Sequence, residues 1–169
     1  MASETGTTQR IDFPMSSPSS QPAGVVAGEE ISAAFLGPPA RPKVMMVDDD
    51  KLNSFVIAEY LKSDGYRDLV YTTDPLQALS LAHHVLPGLI LLDLQMPELS
   101  GFDLLRELRA DDAFARTAIV ILTASKDEKL KARAVKLGAA DLIYKGIDRN
   151  SMLARLRSII EAADQDQSG

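Results

Sequence analysis

The chain has 169 residues, 46% of them hydrophobic, and a formal net charge of -6, which suits one domain with a single core plus a tail. It has no cysteine, which excludes disulfides and thiolate metal sites and fits a reducing compartment. The negative balance disfavours non-specific attraction to nucleic acid or to an anionic membrane, and no apolar run approaches the roughly 18 residues of a membrane span.

The start has no basic stretch leading into an apolar one, so no secretory signal is read there and the expected location is the cytoplasm. Residues 1–42 hold six of the nine prolines (Pro14, Pro18, Pro22, Pro38, Pro39, Pro42) and many Ser, Thr and Gly. Such a segment buries too little to offset its ordering entropy and reads as a disordered tail. Within it, Glu30-Ile-Ser-Ala-Ala-Phe-Leu36 has the makings of a short docking helix, against which stands the composition of the whole segment.

The folded domain is expected over 43–162, with a polar tail at 163–169. It opens on an apolar run at 44–47 that stops at Asp48-Asp49-Asp50. A helix follows, with Asp50 as its cap, Leu52, Val56, Ile57, Tyr60 and Leu61 at helical spacing, and Gly65 placed to end it. A second run, 69–71, stops at Thr72. Asp74-Pro75 reads as a cap and first position of a helix carrying Leu76, Leu79 and Ala82. The run 89–92 stops at Asp93. Gly101 opens a helix with Leu104, Leu105 and Leu108 facing inward. The run 118–122 stops at Thr123, and a helix over 127–137 ends at Gly138. The last run, 142–144, stops at Lys145, and the last helix has an apolar face of Met152, Leu153, Leu156, Ile159 and Ile160.

Apolar runs of this length suit strands buried on both faces. Strand and helix alternate five times, which implies an α/β domain with a parallel sheet, helices on both faces and right-handed crossovers. Ligands in such sheets bind at the carboxyl ends of the strands. That rim collects Asp48, Asp49, Asp93, Thr123 and Lys145. One acid after a strand is an ordinary cap or loop residue, but this set, gathered at the ends of four different runs, points to a site. The carboxylates repel one another and need a cation. With oxygen donors and no cysteine the natural candidate is Mg²⁺. A metal, a lysine and a hydroxyl around a carboxylate suit a site that stabilises a phosphoryl group on that carboxylate.

Four motifs then carry a family resemblance: Val44-Met-Met-Val-Asp-Asp-Asp50, Leu91-Leu-Asp-Leu-Gln-Met-Pro-Glu-Leu-Ser-Gly101, Ile121-Leu-Thr-Ala124 and Gly138-Ala-Ala-Asp-Leu-Ile-Tyr-Lys145. Over about 43–160 the chain resembles the receiver domain of two-component response regulators. The resemblance implies a flavodoxin-like, doubly wound five-stranded parallel sheet of order 2-1-3-4-5 with five helices. It implies that Asp93 accepts a phosphoryl group from a sensor histidine kinase or phosphotransfer protein and then loses it slowly. It assigns Asp49 as a direct ligand of Mg²⁺, Asp48 as a helper through metal-bound water, and the backbone carbonyl of Gln95 as a further ligand. It gives Thr123 the hydroxyl that moves to the phosphoryl group, and Lys145 the ammonium that pairs with Asp93 before transfer. The fourth helix, fifth strand and fifth helix are the implied partner face. Signalling through protein contact, without direct nucleic-acid or membrane binding and without conventional enzyme activity, is the expectation.

Two positions depart from the family. Gly146 stands where proline usually follows the lysine, and its freedom of dihedral angles is expected to let Lys145 aim correctly. Leu142 stands where an aromatic switch residue is usual, while Tyr144 lies beside the lysine; altered coupling to the partner face is expected. His83 and His84 point in different directions on a helix and read as surface residues. Lys126, Lys129, Lys131, Arg133 and Lys136 form a charged face that is either simply solvated or a contact surface. The competing readings are the amino-terminal piece of a longer regulator, a Mg²⁺-dependent phosphatase with an aspartyl nucleophile, which Gln95 argues against, and a receiver that never gains phosphate.

Overall fold

The computed structural model describes residues 8–10 and 41–166. The strands are β1 (Thr8–Arg10), β2 (Val44–Val47), β3 (Leu69–Thr72), β4 (Leu89–Asp93), β5 (Ala118–Thr123) and β6 (Asp141–Tyr144). The helices are α1 (Lys51–Ser63), α2 (Ala78–Val85), α3 (Gly101–Arg109), α4 (Glu128–Lys136) and α5 (Arg149–Asp166). The sheet runs β1-β3-β2-β4-β5-β6. Its five parallel members, counted from β2, follow the expected order 2-1-3-4-5.

β1 is an addition. It pairs antiparallel with β3, Thr8 opposite Thr72 and Arg10 opposite Val70. A three-residue strand inside a Pro- and Ser-rich segment has no periodicity to reveal it. The docking helix considered at 30–36 lies outside the described residues. At the other end, α5 continues to Asp166, into the stretch read as a polar tail.

Alternation along the strands divides the core. Val44, Met46, Leu89, Leu91, Val120, Leu122 and Ile143 pack with α1 and α5. Met45, Val47, Ile90, Leu92, Ile119, Ile121 and Leu142 pack with α2, α3 and α4. Both faces are therefore dry, which is why each strand reads as an unbroken apolar run.

Two helices differ from their expected faces. α1 buries Ser54, Ile57, Ala58 and Leu61, whereas Leu52 is 67% and Val56 40% exposed. Two overlapping stripes fit the same sequence, and the buried one includes the small residues Ser54 and Ala58. Asp74 does cap, accepting from the Leu76 amide at 2.9 Å, but Pro75–Gln77 forms a 3₁₀ turn with Leu76 exposed, and α2 begins only at Ala78.

Candidate functional site

Parallel register brings the strand ends to one level: Val47 lies opposite Leu92, Asp93 opposite Leu122, and Thr123 opposite Tyr144. Asp48, Asp93, Thr123 and Lys145 consequently meet on the rim, together with Asp49. Asp48 and Asp93 are buried, Thr123 is fully buried and Asp49 is exposed. Asp48, Asp49 and Asp93 each offer one carboxylate oxygen, all within 4.8 Å of one another. Asp50 stands apart and caps α1, accepting from the Leu52 amide at 2.8 Å.

Lys145 reaches across the sheet to two acids. Its Nζ donates to Asp48 Oδ2 at 2.8 Å and lies 3.0 Å from Asp93 Oδ1. The second Asp48 oxygen, Oδ1, accepts from the Asp50 amide at 2.9 Å, which fixes the carboxylate plane. Burial pushes the Asp93 carboxyl up; the Lys145 hydrogen bond and the Gln95 backbone oppose this, while the Asp48 charge adds to it, and the net direction is upward. For Lys145, burial alone would lower the ammonium, but hydrogen bonds and charge from Asp48 and Asp93 outweigh it and raise the group. One ammonium cannot neutralise three carboxylates, so the pocket retains negative charge. Its donors are all oxygen, the set that suits a hard divalent cation.

The loops around the rim are tightly set. The Lys145 amide donates to the Thr123 carbonyl at 2.7 Å, and Thr123 Oγ1 accepts from the Ser125 amide at 3.1 Å. After β4 the chain folds back so that the Gly101 amide donates to the Leu94 carbonyl at 3.0 Å. A Cβ on Gly101 would lie 2.3 Å from the Asp93 carbonyl oxygen, so only glycine closes this loop. Gln95, on the same loop, is exposed, and its backbone faces the Asp93 carboxylate.

The remaining sequence candidates fall elsewhere. His83 and His84 are exposed on α2, where His83 Nε2 lies 2.7 Å from Asp111 and its ring meets Phe114 edge-on. All five basic residues at α4 are exposed, and Arg133 stacks over Phe102. Leu142 is buried. Gly146 does not adopt the positive φ seen at Gly65 and Gly138, so its expected backbone freedom is not what the position uses. A groove of about 370 Å³ runs between α4, β6 and α5, with Lys126, Leu142, Tyr144, Gly146 and Arg155 on its walls. Phe55, 59% exposed on α1 with Leu52 and Val56, was not singled out from the sequence, although it breaks the inward stripe of that helix.

Comparison with known proteins agrees with this geometry. The family model for the response regulator receiver domain matches residues 44–157. The DNA-binding dual master transcriptional regulator RpaA of Synechocystis is 32% identical over 124 residues, 73% of this chain and 51% of that protein. The cell cycle transcriptional regulator CtrA of Caulobacter vibrioides is 35% identical over 119 residues, 70% of this chain and 50% of its own. The chain thus spans about half the length of these curated relatives. Among solved structures, the receiver domain of Francisella response regulator 1452 superposes with a TM-score of 0.65 at 28% identity, covering 72% of this chain and 98% of that one. The Vibrio cholerae chemotaxis protein CheY4 gives 0.64 at 25%, covering 69% and 97%. Motif order, strand order, rim geometry and the family match coincide over the same residues, and the chain belongs to the response regulator receiver family of two-component systems.

Proposed function

We propose that Asp93 accepts a phosphoryl group from the phosphohistidine of a sensor kinase or phosphotransfer protein. The observation that carries this reading is Lys145 held 2.8 Å from Asp48 and 3.0 Å from Asp93 beside a third carboxylate. The carboxylates of Asp48, Asp49 and Asp93, with the Gln95 carbonyl, would hold Mg²⁺, which supplies charge compensation for phosphoryl oxygens. An Asp93 carboxylate oxygen forms a bond to phosphorus as the phosphorus–nitrogen bond of the donor breaks; the imidazole keeps that electron pair and takes a proton from solvent. Lys145 then turns from Asp93 towards the phosphoryl oxygens. The Thr123 hydroxyl, which now accepts from Ser125, has its proton free to donate to them. Hydrolysis by water returns the carboxylate and releases inorganic phosphate. The chain turns over only its own phosphate, in the cytoplasm, and signals through the face formed by α4, β6 and α5.

Intact mass tests this. With Mg²⁺ and a small acyl phosphate, the protein is expected to gain one phosphoryl group and an Asp93→Ala variant none. No gain on the parent protein sinks the reading, and equal gain on the variant moves the site. A second reading, that these residues are the receiver portion of a longer regulator, is favoured by the half-length coverage of the relatives. An antibody to this domain that detects a product near its 18.3 kDa mass in the source cell would argue against it.

A further inference from the structure

Gly146 poses a question that its backbone does not answer. Its φ is not positive, so an L-residue fits the conformation. What a side chain would meet is Tyr144. A Cβ on Gly146 would lie 2.4 Å from Cε1, 2.7 Å from Cζ and 2.8 Å from Oη of that ring. The ring is folded onto the Gly146 backbone, and the Lys126 ammonium sits 4.9 Å from its centroid. Between the two lies Lys145. The Ile147 amide donates to the Tyr144 carbonyl at 3.1 Å, closing a turn with Lys145 and Gly146 at its centre. The direction of the Lys145 side chain follows from this turn, which is fixed from one side by the Thr123 carbonyl and from the other by the ring.

We infer that Tyr144 is a positioning residue for Lys145, acting through its contact with the bare backbone of Gly146. The inference rests on the phosphoryl-transfer reading above, because the geometry it protects is that of Lys145 at Asp93. Tyr144 touches neither Asp48 nor Asp93. Its effect is on how fast the site works, through the aim of the ammonium, since a misplacement of about 1 Å at a reacting centre is worth up to about 100-fold in rate.

The test follows the rate constant of Asp93 phosphorylation by a small acyl phosphate with Mg²⁺, for Tyr144→Ala, Gly146→Ala, the double variant and Tyr144→Phe. Gly146→Ala is expected to fold, because the atoms it meets are the far end of a side chain that swings away. Each alanine variant is expected to slow the rate constant about tenfold, with the Mg²⁺ midpoint unchanged. Tyr144→Phe keeps the ring and the parental rate. The double variant is expected to be no slower than either single one, since both delete the same contact. A purely structural role would reduce the fraction labelled or the melting temperature and leave the rate constant alone. A parental rate constant in Tyr144→Ala, or additive slowing in the double variant, overturns the inference while the function stands. Absence of label on the parent protein removes both.

Discussion

Lys145 Nζ lies 2.8 Å from Asp48 Oδ2, a bond that spans β6 to β2 and ties the far strand of the rim to its centre. Both groups are largely shielded, and Asp93 and Asp49 crowd the same space. Lys145→Ala is therefore expected to leave three acids facing one another. In metal-free buffer its unfolding free energy should fall by about 3 kcal/mol, the low end for a buried ion pair that loses one partner. Mg²⁺ should recover most of that loss. Chemical denaturation with and without Mg²⁺ measures both quantities.

The raised Asp93 carboxyl makes a pH prediction of definite sign. Its folded-state value lies above its unfolded one, so its contribution to stability is present at low pH and is lost as pH rises through the folded value. Asp93→Asn removes that loss. In metal-free buffer the variant should be more stable than the parent protein at neutral pH, with the gap closing under acid. Melting temperatures of the two proteins across the acid range decide it. A constant gap at every pH would mean that the Asp93 charge is not its source.

Divalent cation should act through Asp49, the exposed member of the acid cluster. At about 100 times its dissociation constant, Mg²⁺ is expected to stabilise the parent protein by about 2.7 kcal/mol. Asp49→Ala should lose most of this, although its metal-free stability stays close to parental. Thermal shift against Mg²⁺ concentration provides the comparison.

A substitution at exposed Phe55 would separate donor docking from the chemistry. It stands on α1 one turn beyond the acidic loop and is 59% exposed. Phe55→Ser is expected to leave fold stability and labelling by acyl phosphate unchanged. Transfer from a phosphorylated partner protein should weaken about tenfold, equivalent to roughly 1.4 kcal/mol of docking energy. Equal loss with both donors would assign Phe55 to the domain's own integrity.

Much of this was legible from the sequence because the fold writes it there. Strands buried on both faces appear as unbroken apolar runs, and the residues that end the runs lie on one rim of the sheet. Asp48, Asp49, Asp93, Thr123 and Lys145 were found in that way. The failures have equally physical causes. α1 carries two apolar stripes, and packing against the sheet, absent from any local pattern, chose the one with Ser54 and Ala58. Gly146 invites an explanation by dihedral freedom, whereas the structure explains it by the Tyr144 ring occupying its side-chain space. That Lys145 serves Asp48 as well as Asp93 depends on distances across three strands, which no spacing in the chain encodes.

β1 has a practical consequence. The backbone groups of Leu69–Thr72 that face away from β2 are met by the antiparallel pairing of Thr8–Arg10. Trimming the first dozen residues to obtain a tidier domain would leave that side of the sheet open, with its amides and carbonyls ready to bind a strand from another molecule. A shortened protein that clumps at high concentration, while the 169-residue chain stays monodisperse, would trace the difference to three residues that composition alone marks as dispensable.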